Sequence, residues 1–292
     1  MTWDDIAQAM FGGLADYGDI LALVSNSIWA GAVLGLVGGL IGVFVMQRDM
    51  AFAVHGISEL SFAGAAAALL IGVDVVAGSI AGSLVAAALI GLLGARARDR
   101  NSIIGVLMPF GLGLGILFLS LYSGRSANRF SLLTGQIVSV PSSQLSMLVV
   151  ISAIVLVALL LIWRPLRFDS LDPQSAAARG VPTVAVSLGF MLLLGLTVAV
   201  AVHIIGALLV MALVVTPAAA AMRIASGPVA VPLLAALFGV GSAVIGILLA
   251  VMGTLPVSPY ITTISFAIYL VCRAVGSRRG RVTHGPGAEL SA

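Results

Sequence analysis

His55 and Glu59 stand four residues apart in a run of otherwise apolar and small residues. On a helix that spacing places both side chains on one face. An imidazole and a carboxylate sharing a face can bind a divalent cation such as Mn²⁺, Fe²⁺ or Zn²⁺. Two ligands make half a site, so a facing helix, a second copy of the chain or water has to supply the rest. The competing reading is a structural His–Glu pair that neutralises both groups, or a protonated Glu59 packed in the core. Burial in lipid costs an ionisable group at least about 2.5–3.5 kcal/mol at mid-span, which makes a pathway role the stronger expectation.

Other polar groups fall near this pair or in comparable runs. Asp49, beside Arg48, is expected at a membrane edge, in a surface ion pair or as a further ligand. His203 starts or interrupts a later apolar run, where it either lines a path or caps a buried turn. Asp74 follows Gly72 in a short turn and reads as solvated. The single cysteine, Cys272, can form neither an intramolecular disulfide nor a thiolate cage, and packing is its expected role. His284, in a polar C-terminal stretch, reads as solvated.

The elements that must position these groups follow from composition. Of the 292 residues 61% are hydrophobic and 9% charged, against about 25% charged in an ordinary soluble domain. The chain is therefore expected to be an all-α polytopic membrane protein with eight to nine spans, since a helix needs about 20 apolar residues to cross. Candidate spans are Ile20–Met46, Met50–Ile71, Val73–Gly94, Ser102–Tyr122, Leu145–Trp163, Val181–Val202, His203–Met222, Val229–Met252 and Val257–Val275. The stretch from Val181 to Met222 is too long for one span and has to turn near His203. All fourteen basic residues are arginines. With nine spans and the N-terminus outside, only Arg125 and Arg129 face outward, which satisfies the positive-inside rule and places the C-terminus in the cytoplasm.

Before the first span, residues 1–19 carry Trp3, Ile6, Ala7, Met10, Phe11 and Leu14 at helical spacing and read as an interfacial helix. Asp4 and Asp5 stand where a cleavable signal would need positive charge. Residues 20–275 form the membrane domain, and 276–292 read as a disordered cytoplasmic tail. Glycines repeat every fourth residue at Gly31/Gly35/Gly39, Gly38/Gly42, Gly78/Gly82 and Gly111/Gly115, a pattern that lets helices approach closely in lipid. The string GLGLG at Gly111–Gly115 follows no strand and lacks a Lys-Ser/Thr, so no nucleotide site is read there. Between the fifth and sixth spans, residues 164–182 leave the membrane and contain a short helix. Pro173 fits its first turn and Gly180 its C-terminal cap. The segment Ser123–Gln144 is the long external connection.

Four stretches together resemble the membrane permeases of bacterial manganese, zinc and iron ATP-binding-cassette importers. They are GVFVMQRDMAFAVHGISELSFAGAAAALLIG (Gly42–Gly72), LLTGQIVSV (Leu132–Val140), SLDPQSAAARGV (Ser170–Val181) and HIIGALLVMALVVTPAAAAMR (His203–Arg223). The resemblance covers about Leu21 to Arg273 and implies a multi-pass protein of the bacterial cell membrane. It implies that Asp172, Pro173, Ala176 and Gly180 belong to a coupling loop; the metal pathway through His55 and Glu59, with His203 and Asp49 as further candidates, is the reading of the residues themselves. The resemblance also implies a second permease copy, two cytoplasmic ATPase subunits and an extracytoplasmic metal-binding protein. No cofactor is expected on this chain beyond the transported ion, and no nucleic acid as a partner. One departure is plain: the family commonly places Asp four residues before His, whereas here His55 precedes Glu59. Alternatives are a permease for a metal chelate such as a siderophore or cobalamin, an ion-coupled secondary carrier, and a scaffold that transports nothing. Midspan ligands argue against a chelate path, and the lack of an evident internal repeat argues against a secondary carrier.

Overall fold

The computed structural model describes residues 21, 23–94, 97–124, 137, 140–252 and 256–283. Every regular element among them is a helix: α1 (Ser25–Gln47), α2 (Ala51–Ile71), α3 (Val75–Leu93), α4 (Ala97–Leu121), α5 (Ser142–Leu171), α6 (Pro173–Ala178), α7 (Thr183–Ile205), α8 (Ala207–Ile224), α9 (Ala230–Val251) and α10 (Val257–Thr283). Eight of them, all but α6 and α8, are long and apolar enough to cross a membrane. With 18 residues, α8 is slightly shorter than a full span, about 27 Å at roughly 1.5 Å per residue. The expected interfacial helix at 1–19, Arg125, Arg129 and the end of the tail with His284 lie outside the described residues.

Contacts between helices fix the relative direction of each leg. Phe44 and Arg48 of α1 meet Phe190 and Ser187 of α7, so these two run antiparallel. Gly38 and Gly42 of α1 meet Leu213 and Val214 of α8, so α8 runs parallel to α1. The chain therefore reverses between α7 and α8. It does so at Gly206, with φ 80° and ψ 157°, a conformation open to glycine and costly for other residues. This corrects the expected division at Val202–His203: His203 belongs to the last turn of α7 and does not begin the next helix. The apolar pattern could not locate the break because it is continuous across it; the backbone freedom of one glycine decides.

The repeated glycines stand where the helices touch. Those of α1 at 31, 35 and 39 face α9, with Gly35 against Gly239, while Gly38 and Gly42 face α8. Gly64, Gly78 and Gly82 bring α2 and α3 together, and Gly111 and Gly115 set α4 against α2. A methyl group at Gly42 would sit 1.9 Å from the carbonyl oxygen of Val214, and backbone cannot rotate aside. Gly42→Ala is thus expected to cost about 1–3 kcal/mol through overpacking, read as a lower unfolding temperature in detergent. Gly189→Ala, whose methyl meets nothing within 4 Å, is expected to change little.

Burial separates inner from outer legs. Across their apolar windows α1, α2 and α7 are 67–72% buried, whereas α4, α5 and α10 are 22% buried and turn mostly toward lipid. Two further expectations are corrected. Residues 164–171, read as loop, continue α5 as helix through Pro165, because Leu159, Leu166 and Asp169 keep one buried face at helical spacing. Residues 276–283, read as disordered tail, continue α10 as helix; Gly276 there lies against the backbone of Arg223 on α8.

Candidate functional site

α2 is lodged among α3, α4, α7 and α8. Its small residues make this possible: Gly56, Gly64 and several alanines leave no side chain between the backbones, and Gly111 of α4 lies against the main chain at Glu59 and Leu60. Such a helix can hold polar side chains away from lipid. Glu59 is 5% exposed. The His55 Nε2 lies 3.5 Å from the Glu59 Oε1, and the His55 side chain is about a quarter exposed. Ser58, next to them, is satisfied by donating to the carbonyl of His55 at 2.8 Å.

That separation is longer than the ~2.7–2.9 Å of a tight charge-assisted hydrogen bond. It is close to what two ligands of one ion require. Bonds of about 2.0–2.2 Å at tetrahedral or right angles set N and O about 3.0–3.4 Å apart. The pair is therefore arranged to share a cation with little movement. Among the described residues no third His, Cys, Asp or Glu joins them, so the pair by itself could supply two ligands of an ion and no more.

The other candidates are spread along α2. Asp49 is exposed at the α1–α2 turn with φ 52°, a left-handed conformation that Asp tolerates better than most residues. Arg48, its expected partner, makes its buried ion pair elsewhere. Arg48 turns inward instead and pairs with Asp169 of α5, with both side chains less than a tenth exposed. A buried carboxylate outcompetes an exposed one because water does not screen it. His203 lies toward the other end of α2, where α7 meets the start of α3 through the bond from Ser79 to the carbonyl of Ala199. Both His203 ring nitrogens are buried without a hydrogen-bond partner, and Asp74 is the acid whose field reaches the ring. No hydrogen bond supports His203 as a turn cap. Asp74 itself accepts from the Ala77 N–H at 2.8 Å and caps α3. Cys272 is buried and unpaired, in line with packing.

The predicted short helix forms as α6. Asp172 accepts from the N–H groups of Gln174 and Ser175, both at 3.1 Å, and Pro173 occupies the first turn. At the far end Val181 N–H donates to Ala176 and Gly180 N–H to Ala177, each at 3.0 Å, with Gly180 at φ 81°. These two bonds close the helix as a Schellman cap. The Ser175 hydroxyl and backbone N–H hold the Asp172 carboxyl below the ordinary carboxylate range, so the cap stays charged at neutral pH. Ala176 is fully buried, which seats α6 on its neighbouring legs.

Sequence reasoning missed Arg48 and Asp169. Arg48 counted as a topological charge and a surface partner for Asp49, and Asp169 fell in the presumed loop. The available signal was Asp169 continuing the buried period of Leu159 and Leu166.

Long apolar helices, with a capped short helix between two of them, define a multi-pass membrane protein. The chain belongs to the ABC 3 transport family, whose model matches residues 21–276. It is similar to the manganese transport system membrane protein MntC of Halalkalibacterium halodurans, 28% identical over 261 residues and 89% of each chain. It is also similar to the manganese import system permease protein ScaB of Streptococcus parasanguinis, 25% identical over 89% of this chain and 93% of that one. Among solved structures, PsaBC from Streptococcus pneumoniae in complex with Fab shares the fold. The TM-score is 0.82 at 24% identity, covering 93% of this chain and 100% of that one.

Proposed function

We propose that this chain is the membrane permease of an ATP-driven importer and that its substrate is a divalent first-row metal ion, manganese foremost. The observation that carries the reading is the pairing of partly exposed His55 with buried Glu59, spaced as two ligands of one ion on an inner helix. The manganese systems named among its relatives support the same metal class. A neutral imidazole with a carboxylate suits Mn²⁺, Fe²⁺ and Zn²⁺ alike. His203 toward one end of α2 and Asp49 at the other would receive and release the ion.

Completion of the coordination shell falls to a second permease copy, a facing helix or water. α6 would meet one of two cytoplasmic ATPase subunits, and an extracytoplasmic metal-binding protein would deliver the ion. The N-terminus then faces outward, as the arginines require. The test is uptake by cells lacking this chain, offered free manganese, zinc and iron beside a ferric chelate. Loss of uptake of a free divalent ion is expected; loss confined to the chelate would overturn the reading.

A further inference from the structure

Arg48 ends α1, and its guanidinium reaches both stems of α6 at once. It pairs with Asp169 and donates to the Ser170 hydroxyl at 2.9 Å, both in the last turn of α5. It also donates to the Ser187 hydroxyl of α7 at 3.0 Å. One turn further into the membrane the same three helices meet again. Phe44 of α1 stands edge-on to Trp163 of α5 at 4.8 Å and to Phe190 of α7 at 6.0 Å. The guanidinium carbon lies 5.7 Å from the centre of the Phe190 ring, joining the polar and aromatic layers.

The corner beyond Arg48 is stiff. Only Asp49 and Met50 separate it from α2. Met50 is 1% exposed, and its N–H donates to the Val45 carbonyl at 2.9 Å. Four residues into α2 the chain reaches His55. Apolar side chains could join three helices as firmly as a buried ion pair does. What a guanidinium adds is a planar fork that fixes several partners in one orientation.

We propose that Arg48 is a positioning residue that carries displacement of α6 to the α1–α2 corner and so to His55 and Glu59. When α6 is pushed or tilted, the ends of α5 and α7 move with it. Arg48, tied to both, moves the start of α2. This rests on the reading of α6 as the ATPase contact.

The test uses the full transporter in proteoliposomes, with permease, ATPase subunits and binding protein, measuring metal taken up per ATP hydrolysed. Wild-type vesicles that show no ATP-driven metal uptake would overturn the functional reading itself, before any variant is compared. Arg48→Met with Asp169→Leu removes both members of the buried pair together. That variant is expected to bind the ATPase and hydrolyse ATP while uptake per ATP falls about tenfold or more, within the usual range of coupling between sites. A wild-type ratio in the assembled variant would overturn the proposal. Should the double variant not assemble, Arg48→Lys decides, since it keeps the charge and loses the fork. A several-fold drop in the ratio is expected there, and an unchanged ratio would overturn the proposal.

Discussion

The double variant His55→Leu with Glu59→Gln is expected to assemble at the wild-type level and to take up no more metal than cells lacking the chain. The two accounts of this pair differ in the damage they foresee. If His55 and Glu59 only neutralise each other, removing both leaves no buried charge uncompensated, and transport should survive. If they hold the ion, both ligands vanish together while the packing around Gly56, Gly64 and Gly111 is untouched. Assembly and uptake must be measured on the same preparation. Normal uptake by a well-assembled double variant would end the role of this pair in the ion path.

Arg48→Ala alone should be among the most damaging single substitutions in the chain. It leaves Asp169, 4% exposed, without its cation. Breaking one side of a buried pair typically costs about 3–5 kcal/mol. The variant should therefore accumulate poorly and unfold at a lower temperature in detergent. Asp169→Ala should act similarly by stranding the guanidinium. The charge-free replacement of both residues should recover most of the loss. A single variant as stable as wild type would mean that water reaches the pair and that the helix ends are held by the aromatic layer alone.

Much of this architecture was legible in the sequence, for definite physical reasons. Lipid forces long apolar runs, so the helices between Ser25 and Val275 announce themselves by composition. Glycines at four-residue spacing marked the close contacts of α1 with α8 and α9 and of α2 with α3 and α4. Pro173 and Gly180 revealed α6 because capping chemistry is local. The facing of His55 and Glu59 is local too, fixed by one turn of helix.

What could not be read depended on residues far apart in the chain. Nothing near Arg48 announces that it turns inward to a residue 121 positions away. Asp49 looked like its partner only because it was adjacent. The break at Gly206 was hidden inside an apolar run, and His203 was therefore placed on the wrong helix.

The most direct measurement of the central claim is pulsed electron paramagnetic resonance on Mn²⁺ bound to the purified permease. The ion should show hyperfine coupling to an imidazole nitrogen, and that coupling should disappear in His55→Leu while the protein remains assembled. Bound Mn²⁺ with the same nitrogen coupling in wild type and His55→Leu, or with none in wild type, would contradict His55 and Glu59 as the ion's ligands.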